Sequence, residues 1–138
     1  MESLDLSTAP PRSPYAELGG VIFLPRTIDK VRAGLPGGNF GLYKIAGFSE
    51  TMFEMLAIDE AAFTAAVAGA ANDDDVLAFV TGATTPERIA EWNAWASERK
   101  PAGGDRERAL VPFPWLADRD DIPRALDCIA EDDQRLFA

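Results

Sequence analysis

Between Leu24 and Arg32 the chain reads Leu-Pro-Arg-Thr-Ile-Asp-Lys-Val-Arg, a dense run of charge at helical spacing. Asp29 falls three residues after Arg26 and three before Arg32, so on a helix one carboxylate can bridge two guanidiniums. Arg26 and Lys30 are four apart and can present two positive charges to a carboxylate or phosphate, with Asp29 orienting them. The plainer reading is a solvated charged face in which each pair contributes roughly a few tenths of a kcal/mol.

Trp92, Asn93 and Trp95 form a second group. Helical angles put Trp92 between Ile89 and Ala96 on an inner face, where ordinary core packing is its plain role. Trp95 lies to one side with Arg99 four residues on, which allows a cation–π contact or the wall of a shallow ligand cleft. Asn93 sits at the edge of the inner face, where a buried side-chain amide needs a loop backbone as its hydrogen-bond partner.

The acidic runs do not make a metal site. Asp73, Asp74 and Asp75 fit the first turn of a helix, where the macrodipole favours negative charge without any ion. Asp118 to Asp121 precedes another helix, and neither run has the alternating ligands and central glycine of a calcium loop. Asp133 is less easily placed, because a helix continued past Ile129 would turn it inward, to be salt-bridged by a basic residue of the Arg26 block. We expect the helix to end near Glu131 instead.

Stoichiometry excludes more. With no histidine and one cysteine, the chain has no imidazole shuttle, no Ser-His-Asp or Cys-His site and no internal disulfide. Cys128 has Asp127 beside it and no near cation, so nothing activates its thiol and it reads as a packing residue. Phosphate-cradling and nucleophile-elbow patterns are missing, and no metal or other cofactor is expected.

The 138 residues bear a net charge of −10 and are 47% hydrophobic and 26% charged, which suits one folded core. Residues 1 to 48 carry a net +1 and residues 49 to 138 a net −11. That acidic body disfavours phosphate backbones and anionic membranes as partners. The opening MESLDLSTAPPRSPYAELGG is no apolar secretion segment, and no run approaches the roughly 20 apolar residues of a membrane span. The expected location is the reducing cytoplasm.

These candidates must be held by elements. Residues 1–20, rich in proline and glycine, read as an arm lying on or off a helical domain of residues 21–138. The first helix starts at Leu24-Pro25, with Leu24, Ile28, Val31 and Leu35 in its apolar arc and the charged residues opposite, and Leu35-Pro36-Gly37-Gly38 stops it. A helix over 50–57 turns Met52, Met55 and Leu56 inward. Asp59 caps the next, with Ile58 and Phe63 as a hydrophobic staple, and Asn72 caps a helix running to Gly82. Thr84 and Glu87 have capping-box spacing for a helix ending near Lys100. Residues 105–117, interrupted by Pro112 and Pro114, read as a packed loop, and a last helix from about Asp120 aligns Ile122, Leu126 and Ile129. The fold class is all-α: a single compact domain of five or six short helices in an irregular or orthogonal bundle.

Gly19 to Arg32, the Phe63 helix, the Asp73 to Val80 helix, Thr85-Pro86-Glu87 through Trp92-Asn93, and Asp120-Asp121-Ile122 together resemble the bacterial DUF5069 family, from about Ser13 to about Asp132. The Leu-Pro-Arg-x-Ile-Asp-Lys-x-Arg block is the most specific part. The resemblance implies that Arg26, Asp29 and Lys30 belong to a family signature; it implies no activity, and Pro112 to Trp115 does not match it.

Two functions remain open. One is a small cytoplasmic helical binding module that recognises a protein segment or a small anionic molecule through Arg26, Asp29, Lys30 and Arg32, with Trp92, Asn93 and Trp95 beside them. The other is a histidine-free enzyme with Asp29 as base and Arg26 and Lys30 stabilising an oxyanion. An enzyme needs those side chains to converge in a concave, partly desolvated site, whereas a module can carry them on an open surface. The chain is a monomer, or a homodimer joined through Pro112-Phe113-Pro114-Trp115-Leu116 if that segment is exposed.

Overall fold

Short helices, most closed by a proline, a glycine or a capping side chain, dominate the chain. The structure is a computed structural model and describes residues 1–119, 121 and 124–138. Among the described residues there are seven α-helices and one two-stranded hairpin, in two compact units, Met1–Asn93 and Ala94–Ala138.

The first unit begins with the arm, which lies on the helices. Leu4 donates its N–H to the Arg32 carbonyl at 3.2 Å, Leu6 donates to that of Asn39 at 2.8 Å, and Asn39 donates to that of Leu4 at 3.0 Å. Leu6 is buried, as are Pro11 and Pro14. The arm ends in a hairpin of β1 (Glu17–Leu18) and β2 (Val21–Ile22), turned by Gly19 and Gly20 at φ +57° and +76°. Two successive positive φ angles match the right-handed twist of paired strands, and only glycine adopts them without steric cost.

Helix α1 (Leu24–Ala33) follows at once, and nine of its ten residues are buried. The apolar arc of Leu24, Ile28 and Val31 is inward as expected. The opposite side is not solvated, since Arg26, Thr27, Asp29 and Lys30 are buried too. Arm and loop cover it, and those segments carry no periodicity that could have announced the cover. Phe23, just before α1, takes a left-handed φ of +73°, which costs an aromatic residue about 1–2 kcal/mol. Its ring is held by Phe48 at 5.3 Å, and Phe48 meets Trp92 at 6.1 Å.

Helix α2 (Phe48–Leu56) turns Met52, Phe53 and Leu56 inward, leaving Met55 only partly buried, so Phe53 takes the inward place expected of Met55. Asp59 caps α3 (Glu60–Gly69) by accepting the Ala62 N–H at 2.9 Å, and Ile58 and Phe63 are both buried beside the cap. Asn72 caps α4 (Asp73–Ala83) through the Asp75 N–H at 3.1 Å. The capping hydroxyl of α5 (Pro86–Glu98) belongs to Thr85, which accepts the Arg88 N–H at 3.2 Å, and not to Thr84, which closes α4.

In the second unit the stretch expected to be a loop holds a helical turn, α6 (Arg106–Ala109), and a 3-10 turn over Pro114–Asp118. Asp105 caps α6 through the Arg108 N–H, and Pro114 takes the first position of the 3-10 turn, where its missing N–H costs nothing. Leu116 packs with Ala109 and Cys128, and Phe113 and Trp115 lie partly buried against them, so this segment covers its own unit's core. The last helix, α7 (Ala125–Leu136), starts later than expected; Asp120 and Ile122 lie outside the described residues. It runs past Glu131, and Asp133 is buried on it at 7% exposure, which corrects the expected end of that helix.

Candidate functional site

Arg12, a residue the sequence left unassigned, organises the charged groups of the first unit. It sits on the arm between Asp29 of α1 and Asp73 at the start of α4. Its backbone N–H donates to Asp29 Oδ2 at 2.8 Å, Nε donates to Oδ1 and Oδ2 at 3.2 and 3.1 Å, and Nη2 donates to Oδ1 at 3.1 Å. The other edge of the guanidinium meets Asp73, with Nη1 at 2.5 Å from Oδ2 and Nη2 at 3.1 Å from Oδ1. Both edges of the planar fork are thus used two-pronged, the strongest arrangement a guanidinium makes with carboxylates.

The electrostatics follow from that geometry. The Arg12 guanidinium beside Asp73 holds that carboxyl below its ordinary range, partly opposed by burial. The same hydrogen bond to Asp73, reinforced by Asp29, binds the guanidinium proton more tightly than usual. Arg32 completes the group at 3.8 Å from Asp29 Oδ1, and its Nε donates to the Glu2 carbonyl at 2.9 Å. Asp29 therefore joins the guanidiniums of Arg32 and Arg12, whereas its spacing in the sequence offered those of Arg26 and Arg32.

Arg26 and Lys30 point to a different environment. They are 2% and 8% exposed. The Arg26 guanidinium carbon lies 5.8 Å from the Phe23 ring centre and 5.5 Å from that of Tyr43, and Lys30 Nζ lies 5.9 and 6.0 Å from the same two rings. Two cations share one aromatic slot. Arg26 also donates from Nη1 to the Arg12 carbonyl at 3.2 Å, which ties the slot to the arm. The buried hydroxyls of Thr27, next to Arg26 in the chain, and Ser49 are hydrogen-bonded to each other at 3.0 Å.

Trp92 and Asn93 hold the hairpin. The buried Trp92 donates Nε1–H to the Ile22 carbonyl at 2.8 Å. Asn93 accepts the Ile22 N–H at 3.0 Å and donates to the Gly20 carbonyl at 2.7 Å, so one amide spans the turn. Trp95 lies in the second unit, where the Arg99 guanidinium carbon stands 5.1 Å from its ring centre.

One open cleft of about 620 Å³ is bounded by the arm, α1 and the start of α4. Leu4, Leu6 and Pro10 give it apolar walls, and Arg12, Asp29, Arg32 and Asp73 give it charged ones. Sequence reasoning found Asp29 and Arg32 and missed Arg12 and the pairing role of Asp73. Among the described residues no three His, Cys, Asp or Glu side chains gather as a metal-holding group, and no helix is long and apolar enough to cross a membrane.

Fold and site together define a small, mostly helical protein in which a clasped arm covers a buried charged helix. The chain belongs to the DUF5069 family, a domain of unknown function, whose sequence pattern matches residues 8–135. A comparison with curated proteins finds no match.

Proposed function

We propose that this protein is a non-catalytic interaction module that docks a segment of another protein in the cleft between the arm, α1 and α4. The observation that carries this reading is the engagement of Asp29. Its two oxygens are met by three N–H groups of Arg12, the Nε–H being shared between both, and Arg32 stands beside them. A carboxylate has about four acceptor positions. A general base must reach a substrate proton with one of them free; Asp29 is already engaged, and so is the neighbouring Asp73, whose two oxygens both accept from Arg12.

The cleft itself suits a protein segment better than a small anion. Its guanidiniums, Arg12 and Arg32, face Asp29 and Asp73 and leave no surplus positive charge to hold a phosphate. Mixed apolar and charge-paired walls are those of an interface between proteins. The one cysteine, buried and unactivated, suits a reducing cytoplasmic setting.

A photo-cross-linking side chain placed at Ala9, on the cleft, tests this in the source cell against the same probe at Ala65, on the exposed side of α3. The expected result is a discrete protein captured from Ala9 and not from Ala65. Equal capture from both positions would contradict the proposal. So would a metabolite that stabilises the parent in a saturable way but not the Arg12→Ala variant.

A further inference from the structure

The arm supplies to the rest of its unit something with the chemistry of a bound peptide. Arg12 is recognised at every polar point it has: its N–H by Asp29, its carbonyl by Arg26 Nη1, and the two edges of its guanidinium by Asp29 and Asp73. It is flanked by Pro11 and Pro14, both buried, with exposed Ser13 between. The chain bends at Arg12 and turns at Pro14, and a proline on each side of a side chain read in this detail lowers the entropy lost when such a segment is ordered on a surface.

We propose that residues 10–14, Pro-Pro-Arg-Ser-Pro, are a strap occupying in cis a slot that accepts an arginine-bearing, proline-flanked segment of the partner in trans. This rests on the docking function proposed above and names the chemistry of its partner. The Arg12 side chain is 39% exposed along the cleft wall, so an incoming guanidinium can approach Asp73, itself 30% exposed, before Arg12 has left. Charge agrees: the slot's own unit, residues 1–93, carries 6 basic against 13 acidic side chains, a net −7, which attracts a basic segment over distance. The guanidinium is required because a lysine ammonium is a single point and cannot bridge the two carboxylates edge to edge. The tethered strap competes at an effective concentration in the millimolar range, so the slot binds in trans weakly until the strap is loosened.

The probe is the strap's own sequence, acetyl-Pro-Pro-Arg-Ser-Pro-amide, titrated by calorimetry into the full chain carrying Arg12→Ala, with native circular dichroism as the control for folding. Saturable binding is expected, at least tenfold tighter than to the parent. Replacing the peptide's arginine by lysine, or adding Asp73→Asn to the protein, should weaken it at least tenfold. Absence of binding to the folded variant, or equal binding of the lysine peptide, would overturn the inference. If Arg12→Ala does not fold, the Arg12 Nε–H resonance of the parent decides: at saturating peptide it moves to the position of a solvated arginine if the strap is displaced, and an unmoved resonance overturns the proposal. Failure here with a partner still captured at Ala9 would leave the docking function standing. Peptide binding with equal capture at Ala9 and Ala65 would remove the docking function and keep the slot.

Discussion

Asp73 shows how one residue serves two purposes. At the first position of α4 its charge is favoured by the helix dipole, as its place in the sequence suggests, and the same carboxylate receives the outer edge of Arg12. Its folded-state pKa lies below the ordinary value of 3.8. The stabilisation it brings is therefore complete above that value and is lost as the pH falls through the folded one. In thermal unfolding from about pH 7 down to about pH 3, the parent is expected to lose its advantage over Asp73→Asn in the acid part of the range. A difference independent of pH would disprove the link. Arg26, at 2% exposure among aromatic rings, behaves differently: Arg26→Ala is expected to destabilise the chain by about 2 kcal/mol or more by denaturant unfolding, through lost packing as well as lost charge.

Among the elements, legibility followed the range of the interactions that define them. Asp59 and Asn72 cap the next helix within three residues, so their sequence signals were sufficient. The hairpin has a two-residue turn signal in Gly19-Gly20 between Leu18 and Val21, but each strand has only two residues and so shows no alternation from which to read it. Asn93 holds that turn from 71 and 73 residues away. Asn93→Ala should therefore cost about 1 kcal/mol, from two hydrogen bonds lost at partly buried and exposed backbone groups, and should speed amide exchange at Ile22. An unchanged exchange rate there would show that the amide is not what holds the hairpin. In the second unit burial, with Asp127 and Asp132 nearby, pushes the Cys128 thiol up to about 11. A thiol reagent at about pH 8 should leave the native chain unlabelled and label it on unfolding.

At the scale of the whole molecule, composition indicated the class and left the site unwritten. The mostly helical fold was readable from caps and breakers spaced along the chain. The clasp was not, because Arg12 lies 17 residues from Asp29 and 61 from Asp73, in a proline-rich stretch with no period. Nor was the burial of Arg26, Asp29 and Lys30, whose helical angles gave no hint that arm and Tyr43 loop would close over them. The charge distribution has its own consequence: with a net charge of −10, the chain is expected to show no retention of labelled duplex DNA in anisotropy titrations at about 0.15 M salt. Binding in that assay would place a cationic surface where none is expected.

Docking and strap alike depend on Arg12 joining the arm to α1 and α4, and a double-mutant cycle measures that join. Unfolding free energies of the parent, Arg12→Ala, Asp73→Asn and the double variant should give a coupling of about 1 kcal/mol, tempered by solvent at the half-exposed guanidinium. A coupling indistinguishable from zero would mean that Arg12 does not tie the arm to α4, and the cleft would lose the closure between arm and α4 on which its proposed function rests.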